Sequence, residues 1–245
     1  MAPYKARRIH VAWIQFLTGI WTMWYSIRVI LTALLATDKR QSITLITRKW
    51  AKKLLQPTGL VIHVNGSEKL DKLTGQPTIV MCNHTSLYDI PVSFLALNAD
   101  IRMLAKKELY SIPILSSALR AGDFVAIDRT NIDQAKRDLK IAETKLRSGI
   151  VLWVAPEGTR SRDGELKSFK KGGFHLAIDT KAMILPVIIK GLDKILPTNS
   201  YDLTIHGQVE VVIGDPIDAT SFTKKQCNQL RDMTRESMKQ LLEHV

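Results

Sequence analysis

From Val11 to Thr37 the chain reads VAWIQFLTGIWTMWYSIRVILTALLAT, rich in Trp and Leu and carrying a single charge, Arg28. The run is longer than the roughly 20 residues that cross a bilayer, and longer than the roughly 7–15 of a signal-peptide apolar region. It has no convincing small-x-small cleavage site. Three placements are open: a transmembrane span, a helix lying in the membrane interface, or a buried core helix. Gln15, Thr18, Thr22 and Ser26 recur at spacings of three and four, which puts a weakly polar stripe on one helix face. Trp13, Trp21, Trp24 and Tyr25 suit the headgroup layer. Basic residues flank the run on both sides, Lys5, Arg7 and Arg8 before it and Lys39, Arg40, Arg48, Lys49, Lys52 and Lys53 after it. That symmetry gives the positive-inside rule little to orient and favours a helical hairpin lying in, or dipping into, the cytoplasmic leaflet.

The remaining chain is long enough to bury one substantial core: 245 residues, 45% hydrophobic, with no low-complexity tract. A formal charge of +12 favours anionic partners, among them phosphorylated metabolites, an acidic carrier protein, anionic lipid and nucleic acid, without choosing between them. Cys82 and Cys227 form no CxxC and no pairing pattern, so neither a disulfide framework nor a zinc site is expected and a reducing, cytoplasmic setting is the default.

After Pro57 the texture changes to short strands alternating with helices. Residues 59–66, 77–83, 121–128, 149–158 and 182–191 read as strands from their β-branched content and their Gly, Pro and Asn boundaries. Helices are expected from Ser86 or Asp89 to Asn98, through the stretch with apolar Ile132, Ala135, Leu139, Ala142 and Leu146, near 170–180, and from about 222 to the end. Gly149 stands where a C-cap glycine belongs. A hairpin is expected in YDLTIHGQVEVVIG, residues 201–214. The alternation indicates an α/β domain with a mixed, largely parallel sheet flanked by helices. In such sheets ligands bind beyond the strand C-termini, which is where NHTSLYD and PEGTRS fall.

There is no GxSxG elbow, Walker loop, GxGxxG, HExxH or EF-hand loop, which argues against an ordinary serine hydrolase, NTPase, dehydrogenase or zincin. What remains is polar clusters at strand ends. His84 and Asp89 are five apart. They meet only if His84 stands in the loop before the helix, where a carboxylate holding one imidazole nitrogen leaves the other free to accept a proton. The competing reading is a helix start, since Ser86-x-x-Asp89 fits a capping box. The second cluster, Pro156 to Gly173, sets Glu157, Arg160, Arg162, Lys167, Lys170 and Lys171 amid four glycines, either a phosphate-cradling loop or a solvated basic one. Arg129 and the Lys106-Lys107 pair are surface charges if taken alone. His10, His63, His175, His206 and His244 have no carboxylate at useful spacing and read as structural or surface residues.

Together these blocks resemble the glycerolipid acyltransferase family, above all the bacterial 1-acyl-sn-glycerol-3-phosphate acyltransferases. NHTSLYD matches the H-x4-D motif, and FVAIDR, PEGTRS and ILPVII follow in the family's order, over about residues 60 to 215. Ala155 and Ala126 depart from the bulkier apolar residues usual before the third and within the second motif. The resemblance implies an α/β acyltransferase domain, residues 57–245, behind membrane-associating hydrophobic and basic helices, residues 1–56. It implies that His84, oriented by Asp89, deprotonates the 2-hydroxyl of lysophosphatidic acid for attack on an acyl thioester. It further implies that Arg129, Arg160 and, less directly, Lys106 hold the acceptor phosphate. Glu157 either binds an acceptor hydroxyl or organises its loop, beside Gly158 and Thr159. Acyl-CoA or acyl carrier protein serves as co-substrate, and no metal, cofactor or nucleic acid is expected. The expected location is the cytoplasmic face of the cell membrane, monotopic or peripheral, on an anionic surface. Other acceptors (glycerol 3-phosphate, lyso-ornithine lipid, a lysophospholipid of another headgroup) remain open. So does a noncatalytic basic membrane-binding module.

Overall fold

The Thr78–Cys82 strand is a continuous apolar run in which every residue is buried, the pattern of a central strand in a parallel sheet covered on both faces. The rest of the fold is built around it. The structure, a computed structural model, describes residues 2–198 and 200–243; His244 lies outside them. In chain order the elements are β1 (Tyr4–Lys5), α1 (Arg8–Leu35), α2 (Lys39–Leu55), β2 (Val61–Asn65), α3 (Ser67–Asp71), β3 (Thr78–Cys82), α4 (Asp89–Ala96), β4 (Ile101–Lys106), α5 (Leu115–Ala121), β5 (Val125–Ile127), α6 (Ile132–Arg147), β6 (Val151–Val154), α7 (Gly172–Thr180), β7 (Met183–Lys190), α8 (Leu192–Ile195), β8 (Thr204–Ile205), β9 (Gln208–Ile213), β10 (Ile217–Asp218) and α9 (Cys227–Glu243).

The main sheet runs β2-β9-β7-β3-β6-β4-β5, with β10 added against β7. Strands β7, β3, β6, β4 and β5 are mutually parallel, whereas β9 is antiparallel to β7 and parallel to β2. The pleat divides the core in two. Val80 and Cys82 of β3 join Leu185, Val187 and Ile189 of β7 in one cluster, with Val92 of α4 and Ala51 of α2. Ile79 and Met81 join Ile184 and Ile188 in the other, with Leu146 of α6, Phe174 of α7 and Leu230 of α9. The architecture is thus the expected α/β one, three layers with helices on both faces of a mixed, largely parallel sheet.

The expected 201–214 hairpin does not form. β8 leaves the main sheet and pairs with β1, Tyr4 opposite Ile205, while β9 inserts between β2 and β7. His206 adopts a left-handed φ of 57°, and Gly207 packs so closely on Ile195 that a Cβ would meet its Cδ1 at 2.8 Å. The turn therefore separates two strands with different partners, and Val209, Val211 and Ile213 find their burial in the main sheet. The 121–128 strand begins only at Val125, because Ala121 closes α5. Strand β4 has no counterpart among the expected strands. Its sequence IRMLAK carries one β-branched residue, and its pairing with β6 and β5 makes it a strand against local preference.

The N-terminal helices form the expected hairpin, with an inverted α1. From Thr18 onward its weakly polar stripe turns inward: Ser26 is buried and the Thr22 hydroxyl accepts from Trp50 Nε1 of α2 at 3.1 Å, while Gln15 stays exposed. Its outward face carries Trp13, Phe16, Ile20, Trp24 and Leu31, all at least 45% exposed. Trp21 and Tyr25 turn inward instead of facing out. Helix α1 is long and apolar enough to cross a membrane, yet little of its most apolar stretch is buried. Helix α2 is basic and sits between α1 and α4, its Ala51 and Leu55 in the main core.

Candidate active site

At the C-terminal end of β3 the chain leaves the sheet through Asn83, whose side chain acts as an extra rung. Its Nδ2 donates to Ile189 O at 3.0 Å, and its Oδ1 accepts from Ile189 N at 2.8 Å. His84 follows in the loop and α4 starts at Asp89, so the five-residue separation is bridged by non-helical backbone. The contact is direct: His84 Nδ1 lies 2.7 Å from Asp89 Oδ2, with the imidazole 14% exposed and the carboxylate fully buried. The same oxygen accepts the Thr85 and Ser86 N–H groups at 2.8 and 2.9 Å. Half of the capping box therefore exists. Ser86 does not complete it; its hydroxyl donates to Leu196 O and accepts from Tyr88 N. Pro91 falls in the first turn of α4, where no intrahelical N–H bond is lost. The Trp153 ring of β6 stands edge-on to the imidazole, centroids 6.1 Å apart.

The third block rises from β6, the strand paired directly with β3, and is tied to the first block through main chain. Glu157 Oε1 accepts the His84 N–H at 3.0 Å, Oε2 accepts the Lys167 N–H at 3.2 Å, and Ser161 N donates to His84 O at 2.6 Å. Glu157 is 2% exposed, and burial pushes its carboxyl above the usual range, partly offset by those backbone donors. Of its two expected roles the geometry supplies loop organisation. Gly158 takes φ 73°, a conformation a side chain strains to adopt, and this lets the loop turn back under Lys170. Thr198, which no motif or spacing singles out, places its hydroxyl 2.8 Å from Thr85 O and 3.0 Å from Ser161 O and clamps both loops.

The second block adds Arg129, whose Nη1 donates to Gly158 O at 2.7 Å. Its position is set by Asp128. Oδ1 of that residue accepts from Thr130 N, Thr130 Oγ1 and Asn131 N, and Oδ2 pairs with Lys107 Nζ at 2.7 Å. The Lys107 ammonium and these hydrogen bonds hold the Asp128 carboxyl far below the usual carboxylate range. Neither the Arg160 guanidinium nor the Thr159 hydroxyl has a hydrogen-bond or ion-pair partner among the described residues. Lys106 ends β4 on the same sheet edge and, among the described residues, pairs with Glu108 alone, at 3.3 Å. The structure thus brings His84, Asp89, Glu157, Gly158 and Arg129 into one connected network, with Thr159 and Arg160 on its rim and Lys106 apart.

Residues 61–190 match the protein-family model described as Acyltransferase, which is more than half of this chain. The chain belongs to the acyltransferase family. This acyltransferase is 34% identical over 197 residues to the chloroplastic 1-acyl-sn-glycerol-3-phosphate acyltransferase LPAT1 of Arabidopsis thaliana, covering 79% of this chain and 53% of that protein. To the alpha form of 1-acyl-sn-glycerol-3-phosphate acyltransferase from Mus musculus it is 28% identical, covering 74% and 63%. The aligned part is thus about half the length of the plant relative. The crystal structure of the 1-acyl-sn-glycerophosphate (LPA) acyltransferase PlsC from Thermotoga maritima matches the acyltransferase with a TM-score of 0.80 and 28% identity, over 97% of this chain and 96% of that one.

Proposed function

We propose that this acyltransferase moves a fatty acyl group from an acyl thioester, of coenzyme A or acyl carrier protein, to the free 2-hydroxyl of 1-acyl-sn-glycerol 3-phosphate, giving phosphatidic acid. The His84–Asp89 contact carries the reading. With the Nδ1 hydrogen directed at Asp89, Nε2 keeps its lone pair and accepts the proton of the substrate hydroxyl as that oxygen attacks the thioester carbonyl. The tetrahedral intermediate collapses with loss of the thiolate, which takes the proton back from His84. The products are the diacyl lipid and a free thiol, and no covalent enzyme intermediate is formed. The Thr159 and Arg160 N–H groups have no backbone acceptor among the described residues, which leaves them free to donate to the developing oxyanion. Arg160 and Arg129 hold the acceptor phosphate, Arg129 from a position already fixed on the third loop.

The lysolipid reaches this site from a bilayer, and the outward apolar face of α1 supports its lying on the cytoplasmic leaflet, with the flanking cations on anionic headgroups. The test is thiol release from palmitoyl-coenzyme A with 1-acyl-sn-glycerol 3-phosphate, glycerol 3-phosphate and lysophospholipids of other headgroups as acceptors. Release is expected with the first. Release with another acceptor alone reassigns the substrate, and no release with any overturns the reading.

A further inference from the structure

The turn between β4 and α5 holds a second apolar surface that the site does not use. Residues 111–114 are all exposed, and Leu109, Ile112 and Ile114 are each about two-fifths uncovered. Single exposed apolar residues need no explanation, but three in one rigid tip do. The tip is rigid because it is hydrogen-bonded throughout. Leu115 N donates to Pro113 O at 2.7 Å, closing a γ-turn on Ile114, while Ser116 N and Ala118 N donate to Ile112 O and Ile114 O at 2.9 Å. Ile114 sits at φ 66°, ψ −55°, a conformation that costs a β-branched residue on the order of 1–3 kcal/mol. The fold therefore sustains strain to keep these side chains out of its core.

Two features say what covers them. The tip is flanked by more cations than anions: Lys106, paired with Glu108, and Lys107 lead into it, and Arg120 places its guanidinium 5.2 Å from the Tyr110 ring centroid within the turn. Behind it, Ala118 of α5 packs with Tyr25 and Val29 of α1, which carries the larger outward apolar face. Because β4 runs parallel to β3 and β6, the tip also emerges on the sheet edge that carries His84 and Glu157. Leu87, 60% exposed, stands on that edge three residues from His84. We propose that the Leu109–Ile114 tip is a second membrane-contacting point, inserted among anionic lipids beside α1, which turns the mouth of the site towards the bilayer. An apolar tip flanked by Lys106, Lys107 and Arg120 fits lipid headgroups over acyl chains.

The proposal rests on the membrane association inferred above, and the experiment separates the two. Cys82 and Cys227 are buried, so cysteines introduced in the full chain as Ile112→Cys, Ile20→Cys and Lys72→Cys accept an environment-sensitive fluorophore selectively. Each is titrated with phosphatidylcholine vesicles containing phosphatidylglycerol, with and without nitroxide-labelled lipids. Positions 112 and 20 are expected to shift to the blue and be quenched by the nitroxides, with 72 unchanged. In cosedimentation, Leu109→Asp/Ile112→Asp is expected to lower vesicle partitioning roughly tenfold or more, from the apolar surface no longer buried. If position 20 enters lipid and 112 stays in water, the proposal is overturned and the membrane reading stands. If neither enters, both fall. A label at 112 shielded in lipid-free protein that sediments as a dimer assigns the tip to a second copy and also overturns the proposal.

Discussion

Asp89 has one oxygen accepting three hydrogen bonds and another, Oδ1, that is buried with no protein partner among the described residues. A residue kept only to start a helix would lose little on conversion to Asn. As the orienting partner of His84 it loses far more, because an amide no longer stabilises the imidazolium. Asp89→Asn is therefore expected to lower kcat by roughly 10²–10⁴-fold with thermal stability nearly kept, and His84→Ala to remove turnover at intact vesicle binding. Arg160→Ala, at a guanidinium with no partner among the described residues, is expected to raise the acceptor KM more than it lowers kcat; equal KM values exclude it from the phosphate site.

Two carboxyls near the site should act on stability in opposite senses. Asp128 is depressed, so its contribution is present above the ordinary carboxylate range and is lost as pH falls through its folded value. Asp128→Asn is then expected to destabilise at pH 7.5 and to approach the parent protein in strong acid. Glu157 is raised, so its contribution is present in acid and is lost as pH rises through its folded value. Glu157→Gln should accordingly compare best with the parent at neutral pH and worst in acid. Urea midpoints across pH 3–8 check the Glu157 sign, and the onset of the Asp128 decline below about pH 4 checks the other.

At the scale of elements, β4 shows tertiary context overriding propensity. Arg102, 1% exposed, donates to Gly122 O, Thr44 Oγ1, Ile101 O and Arg40 O, and so joins β4 to α2 and to the approach to β5. Burial lowers its guanidinium below the usual value, although Asp100 and Asp123 work against this. Arg102→Leu would strand these acceptors and is expected to cost about 3 kcal/mol or more in urea unfolding. An Arg in a run of helix formers gives no strand signal, so β4 was not legible from the sequence. The 201–214 segment misled for the reverse reason: its local turn was clear, but strand partners are chosen across the whole chain. By contrast α6 was fully legible, with Asn131 Oδ1 capping Gln134 N and Gly149 at φ 94° beyond its end.

At the scale of the molecule, α1 belongs to two environments. Val11 and Ile14 join the main core, and Tyr25 and Val29 pack with α2 and α5, while the opposite face is left outside. Deleting residues 1–35 is expected to release the protein from vesicles and also to lower its Tm, since each large side chain lost from the core removes about 1.5–3 kcal/mol. Retention on vesicles would move the main anchor elsewhere.

By itself the sequence determined the α/β class, the strand-end loops and the chemistry in them, because hydrophobic period, turn residues and short motifs are local properties of the chain. Only the tertiary structure decided that Glu157 holds the His84 backbone, that Thr198 and Asp128 fix the loops of other motifs, and that Thr22 and Ser26 of the polar stripe of α1 turn inward. Each of these depends on which strands are neighbours and which face a helix buries, and those are settled by packing between residues as far apart in the chain as His84 and Glu157.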